Sequence, residues 1–160
     1  MTLSSLEFRE ASLEDFEGVV ALLKKHAEYH ANLLPHYFAK GQTVESLKKY
    51  IKENGKRNAR IFVALQNGKI IGLLIGRLEK QKSIIVKPKI IGIITRAYVE
   101  RKYRGEGIMG RLLKLFIDWL KRNKVKILHV GSVSKNIEGT VAWESMGFKI
   151  QSHKLEMVLK

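Results

Sequence analysis

The segment richest in chemical content is Tyr103-Arg104-Gly105-Glu106-Gly107-Ile108-Met109-Gly110. A β-branched, apolar run from Ile90 to Val99 leads into it. Behind it, Ile108, Leu112, Leu115, Phe116, Trp119 and Leu120 recur at helical spacing. A strand, a basic glycine-rich turn and a helix start, in that order, make a place for phosphate. The first N–H groups of a helix have no internal partners, and its dipole adds partial positive charge there. Gly105, Gly107 and Gly110 carry no side chain, so anionic oxygens can approach the backbone. Arg104, with Arg101, Lys102 and Arg111 close in sequence, adds full positive charge.

The same glycines also suit an ordinary packed strand–helix loop. Two nucleotide-binding readings fail on spacing. The chain has no G-x-x-x-x-G-K-[ST], which excludes a P-loop. Gly105 to Gly110 matches G-x-G-x-x-G, but a dinucleotide unit needs a carboxylate about twenty residues on, and the stretch from Asn123 to Ile127 is basic.

These residues resemble the GNAT superfamily of N-acetyltransferases. Its signature, R/Q-x-x-G-x-G/A, usually follows a strand ending in Val and an aromatic residue. Val99, Tyr103, Arg104 and Gly107 match, Met109 stands where the family has Gly or Ala, and Gly110 comes one position late. A second family element, N-x-x-A-x-x-x-Y-x-x-x-G-F, is matched by Asn136, Gly147 and Phe148, with Gly139 in place of Ala and Trp143 in place of Tyr. The resemblance spans essentially the whole chain. It implies a mostly antiparallel sheet with helices on its faces, in which strand four (about Ile90 to Val99) splays from strand five (about Ile127 to Val133). Acetyl-CoA, as co-substrate, would enter the splay. Its pantetheine arm would lie along Ala97, Tyr98 and Val99, with Asn136 as a hydrogen-bond partner and Trp143 beside it. Its pyrophosphate would rest on the amides of Arg104, Gly105, Glu106, Gly107, Ile108, Met109 and Gly110. The backbone N–H near Val99 is the implied oxyanion donor.

The implied reaction is direct attack of a neutral primary amine on the thioester. It needs a proton acceptor for the amine, donors for the oxyanion and stabilisation of the departing thiolate. The family often uses the Tyr of its second element for the last task. Trp143 has only an indole N–H there, a donor but not a usable acid. No Asp or Glu occurs from Ile90 to Val99. Thr95, ordering a water, and Glu100, the nearest carboxylate, are the catalytic candidates. Glu100 reads first as a solvated turn charge and only second as a catalytic group. Tyr29, His30, His36, Tyr37 and Phe38 surround Pro35 and fall where the family lines its acceptor cleft; they also suit packing of helix on sheet. His26 and His30 have the spacing of metal ligands but no third ligand nearby, so no metal is expected.

The surrounding elements are mixed α/β in pattern. Leu6 to Glu10 reads as a strand. Ser12 and Asp15 give a helix-start signal in which the serine hydroxyl accepts a backbone N–H. The helix from Phe16 ends before Pro35. A second helix runs from Thr43 to near Asn54-Gly55. Arg60 to Leu65 and Lys69 to Arg77 read as strands about an Asn67-Gly68 turn. Ile84 to Val86, Ile90 to Val99 and Val125 to Val133 are strand-like, Asn136 to Met146 is helical up to Gly147, and Phe148 to Leu159 reads as a last strand. One domain, 1–160, is expected.

The 160 residues include no cysteine, which excludes a thiol nucleophile and Cys-ligated zinc. No signal-peptide pattern opens the sequence and no apolar run is long enough to span a bilayer, so a cytoplasmic protein without a membrane partner is expected. Thirty Lys and Arg against fifteen Asp and Glu give this basic protein a formal net charge of +15. That charge keeps a nucleic-acid-binding reading open, although nucleic acid is not the expected partner. A CoA-binding module without catalysis is the other alternative. A homodimer through the last strand or the Ile84 to Ile94 region is also compatible with the sequence. The positive charge disfavours polyamines as acceptors and favours acidic or neutral amines.

Overall fold

The computed structural model describes residues 6–38, 43–56, 58–82, 85, 87 and 89–159. Five strands form one sheet in sequential order: β1 (Leu6–Glu10), β2 (Ala59–Gln66), β3 (Lys69–Gln81), β4 (Lys89–Val99) and β5 (Leu128–Val130). The first three pairings are antiparallel and β4 pairs β5 in parallel. Helices α1 (Phe16–Leu33) and α2 (Val44–Lys56) cover one face of the sheet, and α3 (Ile108–Arg122) covers the other. Helix α4 (Ile137–Ser145) follows β5. No described helix is long and apolar enough to cross a membrane.

Strand alternation divides the core in two. Val63, Leu65, Leu73 and Ile75 pack with Val19, Leu22 and Leu23 of α1, while Phe62, Ala64, Ile71 and Leu74 pack with Leu112, Phe116 and Leu120 of α3. Helix α3 sits so close to the sheet that a Cβ at Gly76 would lie 2.2 Å from Phe116 Cζ, and one at Gly92 2.7 Å from Leu120. This close seating fixes where the N-terminus of α3 lies relative to the end of β4. The tight turn between β2 and β3 has both Asn67 and Gly68 at positive φ, as an Asn-Gly hairpin requires.

The break in β4 matters most for function. Ile75 pairs Arg96 and Gly76 pairs Ile94, leaving Thr95 as the extra residue of a β-bulge. Parallel pairing with β5 covers only Gly92↔Leu128, Ile93↔His129 and Ile94↔Val130. Beyond Ile94, where the bulge falls, β4 has no further pairing with β5 among the described residues. The expected splay between strands four and five therefore begins at an identifiable residue.

Three expectations need correction. The start of α1 is preceded by a 3-10 turn, Leu13–Asp15, and the Ser12–Asp15 capping box starts that turn rather than α1 itself: Ser12 N–H donates to the Asp15 carboxylate at 2.7 Å. Residues 148–159 form no strand. From Ile150 on their apolar side chains stay outside, with Leu155 92% and Leu159 82% exposed, because the three-residue β5 offers too short an edge to template them. Val125 to Ile127 and Gly131 to Val133 likewise lie outside β5. The Ile84 to Val86 reading falls largely outside the described residues; Ile85 is described and exposed.

Candidate active site

A short 3-10 turn, Arg101–Tyr103, carries the chain from β4 to α3. Gly105 and Gly107 have φ of +83° and +74°, a left-handed conformation that costs an ordinary residue about 1–2 kcal/mol. A Cβ at Gly105, Gly107 or Gly110 would meet nothing within 4 Å, so the space over these residues is open. The first backbone amide of α3 with a helical acceptor is Arg111, bonded to Gly107 O at 3.2 Å. The N–H groups of Ile108, Met109 and Gly110 are thus left for an anion. Arg104 fixes the loop from the other side: its Nε donates to the Val99 carbonyl at 3.1 Å and its Nη1 to Glu138 at 3.3 Å. Open glycines, free amides and an arginine at one helix start suit a pyrophosphate.

This cradle forms one wall of a cavity of about 400 Å³. Ala97, Tyr98, Val99, Arg104, Gly105, Gly107, Ile108, Met109, Gly110, Asn136 and Trp143, all anticipated from sequence, line it. Glu106 does not, nor do Tyr37 and Phe38; Tyr29 and His30 do. Tyr37 is exposed, and Phe38 packs behind His30 with ring centroids 5.2 Å apart. His36 is likewise exposed and meets Glu156 at 2.9 Å.

Asn136 joins the two sides of the cavity. Its Oδ1 accepts from Gly139 N–H at 3.0 Å, capping α4, and from Tyr29 Oη at 2.9 Å. A Cβ at Gly139 would lie 2.4 Å from the Asn136 amide, which explains why Gly replaces the Ala of the sequence element. Trp143 meets Phe148 edge-on at 5.3 Å and packs on the α3-side core.

Both catalytic candidates have structural occupations. Thr95 is the bulge residue: its Oγ1 donates to Ile75 O at 3.2 Å and accepts from Tyr50 Oη at 2.9 Å, outside the cavity lining. Glu100 is no solvated turn charge. It is 8% exposed and paired with Lys25 at 2.7 Å, and that contact holds its carboxyl below the usual range. The pair ties α1 to the start of the loop.

The titratable groups that do face the cavity are His26 and His30, whose rings lie 4.4 Å apart. Burial, with repulsion from His30 and Arg96, holds His26 down to about 3. Burial and Arg96 also lower His30, which is less enclosed. His30 Nδ1 is buried without a hydrogen-bond partner. His26 carried a signal in sequence, its i,i+4 spacing to His30, but metal ligation is the reading that spacing usually suggests. No group of three or more metal-ligand side chains occurs among the described residues. Glu138, Ala142, Ser145 and Met146 complete the lining without a sequence signal beyond their place on or just after α4.

Comparisons with known proteins agree with this architecture. A mutant protein from Bacillus halodurans superposes with a TM-score of 0.85 at 18% identity, covering 96% of this chain and 99% of that one. A predicted acetyltransferase from Clostridium acetobutylicum, solved with acetyl-CoA, gives 0.76 at 18% identity and 96% coverage of both chains. Among curated proteins, N-acetylaspartate synthetase of Xenopus tropicalis is 25% identical over 100 residues, 62% of this chain; the match spans 33% of that relative's length. The model of the acetyltransferase (GNAT) family matches residues 26–148, and the chain belongs to that family.

Proposed function

We propose that this protein moves an acetyl group from acetyl-CoA to a primary amine by direct attack. The observation that carries this reading is the continuity of the cavity, from the α3 cradle past the free end of β4 to Tyr29 and His30 on α1. The amides of Ile108 to Gly110 and Arg104 would hold the pyrophosphate, and Ala97 to Val99 with Asn136 would hold the pantetheine arm. Acetyl-CoA supplies the activated acyl group. The amine nitrogen forms the new N–C bond, the C–S bond breaks, and the amine proton passes to a base. His30 is the better base of the histidine pair. A group held near 3, as His26 is, accepts protons weakly at neutral pH, and catalytic efficiency rises as the base's pKa approaches the working pH. The thiolate leaves beside Trp143, and CoA thiol needs little assistance as a leaving group.

The test is CoA release from acetyl-CoA across a panel of amines, beside calorimetric titration of acetyl-CoA. Turnover that requires an amine supports the reading. Acetyl-CoA binding without turnover on any amine would favour a binding module. Tight DNA binding at physiological salt with no acetyl-CoA affinity would favour the nucleic-acid reading. That last outcome is disfavoured by α3, which carries Arg111, Lys114, Lys121 and Arg122 but has its apolar face, Leu112, Phe116 and Leu120, buried in the core.

A further inference from the structure

Arg96 stands out among the described, partly buried arginines by what it lacks. All fifteen Asp and Glu side chains lie among the described residues. Arg9, Arg60, Arg77 and Arg104 each pair with at least one of them. Arg96 is partly buried and pairs with none. Its guanidinium lies over the Tyr50 ring at 4.8 Å and donates Nη1 to Thr95 O at 2.6 Å. Most of its N–H donors are left without a protein acceptor. The bulge at Thr95 sets its position. Arg96 and Tyr98, two apart on β4, share the face turned to α1 and α2, and Tyr98 meets His26 edge-on at 6.2 Å. Arg96 is not itself part of the cavity lining, but it lies behind the end that the two histidines line, near enough for its charge to act on both rings. The donor's phosphates have their own cradle on α3. The one acidic residue among the described lining, Glu138, is occupied by Arg104. Among the described residues, this end offers the Arg96 guanidinium and no lining carboxylate that would hold a second ammonium.

We propose that Arg96 receives a carboxylate carried by the amine acceptor, so that the acceptor class is amines with a nearby carboxylate, amino acids foremost. The proposal rests on the acyl-transfer reading above. A guanidinium matches a carboxylate with two parallel N–H···O bonds, and partial burial strengthens that pairing while penalising the free cation. The same charge repels polyamines and aminoglycosides.

The experiment measures CoA release with matched acceptors: free amino acids, their carboxamides, a polyamine and an aminoglycoside. It uses the wild type, Arg96→Lys and Arg96→Gln, with acetyl-CoA affinity measured by calorimetry. The wild type is expected to prefer each acid over its amide by about tenfold or more in kcat/KM. Arg96→Gln is expected to raise KM for the acid about 10- to 100-fold, to leave KM for the amide and acetyl-CoA affinity unchanged, and so to erase the preference. Arg96→Lys should fall between. Equal use of acid and amide by the wild type, equal loss on both in Arg96→Gln, or higher kcat/KM for the cationic amines overturns the proposal. The acid-to-amide ratio needs no variant, so it decides even if Arg96→Gln does not fold. Acetyl-CoA binding with no reacting acceptor also overturns it, whereas absence of acetyl-CoA binding removes the acyl-transfer reading beneath it.

Discussion

The donor end of the cavity is nearly one stretch of chain, Val99 to Gly110, closed by Asn136 and Trp143. The proposed acceptor end is lined by the later turns of α1 and the end of β4, with Arg96 and the Tyr50 ring of α2 behind them. The two ends use different physics. At the donor end the backbone does the work: free amides and glycines at positive φ present an anion site whose identity depends little on side chains. At the proposed acceptor end side chains would do the work, through a partly buried imidazole pair, a guanidinium without a carboxylate partner and a tyrosine bonded to Asn136. A backbone site tolerates Met109 where a small residue is usual, because its N–H is unchanged. A side-chain site has no such tolerance.

The largest expected effect breaks the donor end alone. Gly107→Glu forces a side chain into a left-handed conformation and places a carboxylate over the anion cradle. Strain alone should cost about 1–2 kcal/mol of stability. Acetyl-CoA affinity should fall at least about 100-fold, through repulsion and blocked amides. Calorimetry of a variant with a near-normal melting transition checks it; unchanged affinity would falsify the cradle assignment. His30→Gln attacks the other end. A kcat about 100-fold lower, with acetyl-CoA affinity intact, is expected if His30 takes the amine proton. An unchanged pH–rate profile would remove it from that role.

That asymmetry also governs what the sequence reveals. The geometry of the proposed donor end was legible because contiguous residues encode it: a strand, then glycines, then an amphipathic helix. Gly147 was legible for the same reason, as a helix stop, whereas Asn136 was read as the first residue of the helix that it caps. The acceptor end was not. His26, Tyr50 and Arg96 are separated by many residues and belong to no shared spacing. Only the bulge at Thr95, a register shift that no sequence pattern marked, places Arg96 between the helices. Thr95 and Glu100 were plausible by nearness in sequence to the motif, yet one fills a bulge and the other a buried ion pair. The last strand failed for a related reason. Alternation from Phe148 to Leu159 states a preference, but a strand also needs an edge, and β5 ends after three residues.

The acceptor wall should also show in acid stability. The folded value of His26 is depressed from 6.5 to about 3, so the folded chain stays neutral there while the unfolded chain takes up a proton. Stability is therefore full above pH 6.5 and declines as pH falls toward 3, by on the order of a few kcal/mol. Asp15, depressed from 3.8 to about 2 chiefly by its hydrogen bond from Arg9, adds its loss only at lower pH. Urea titrations at stepped pH should show the early limb of the decline in the wild type and its loss in His26→Gln. If that limb persists in the variant, the acceptor wall is not its source.

Tyr29→Phe is the mildest and most discriminating change, because Tyr29 touches both ends. Its hydroxyl bonds Asn136, whose oxygen also caps α4, and its ring lies 5.4 Å beneath the Arg104 guanidinium. Removing the hydroxyl leaves the ring contact and the Gly139 cap in place, so the cost is that of one partly buried hydrogen bond, about 0.5–1.5 kcal/mol. If the two ends are coupled through Asn136, that cost should divide. Acetyl-CoA affinity and acceptor KM should each worsen by about 1.5- to 3.5-fold. The double variant Tyr29→Phe with Asn136→Ala should then be no worse than Asn136→Ala alone, since the shared bond is already lost. Additive losses in that cycle would mean that the two ends bind their substrates independently.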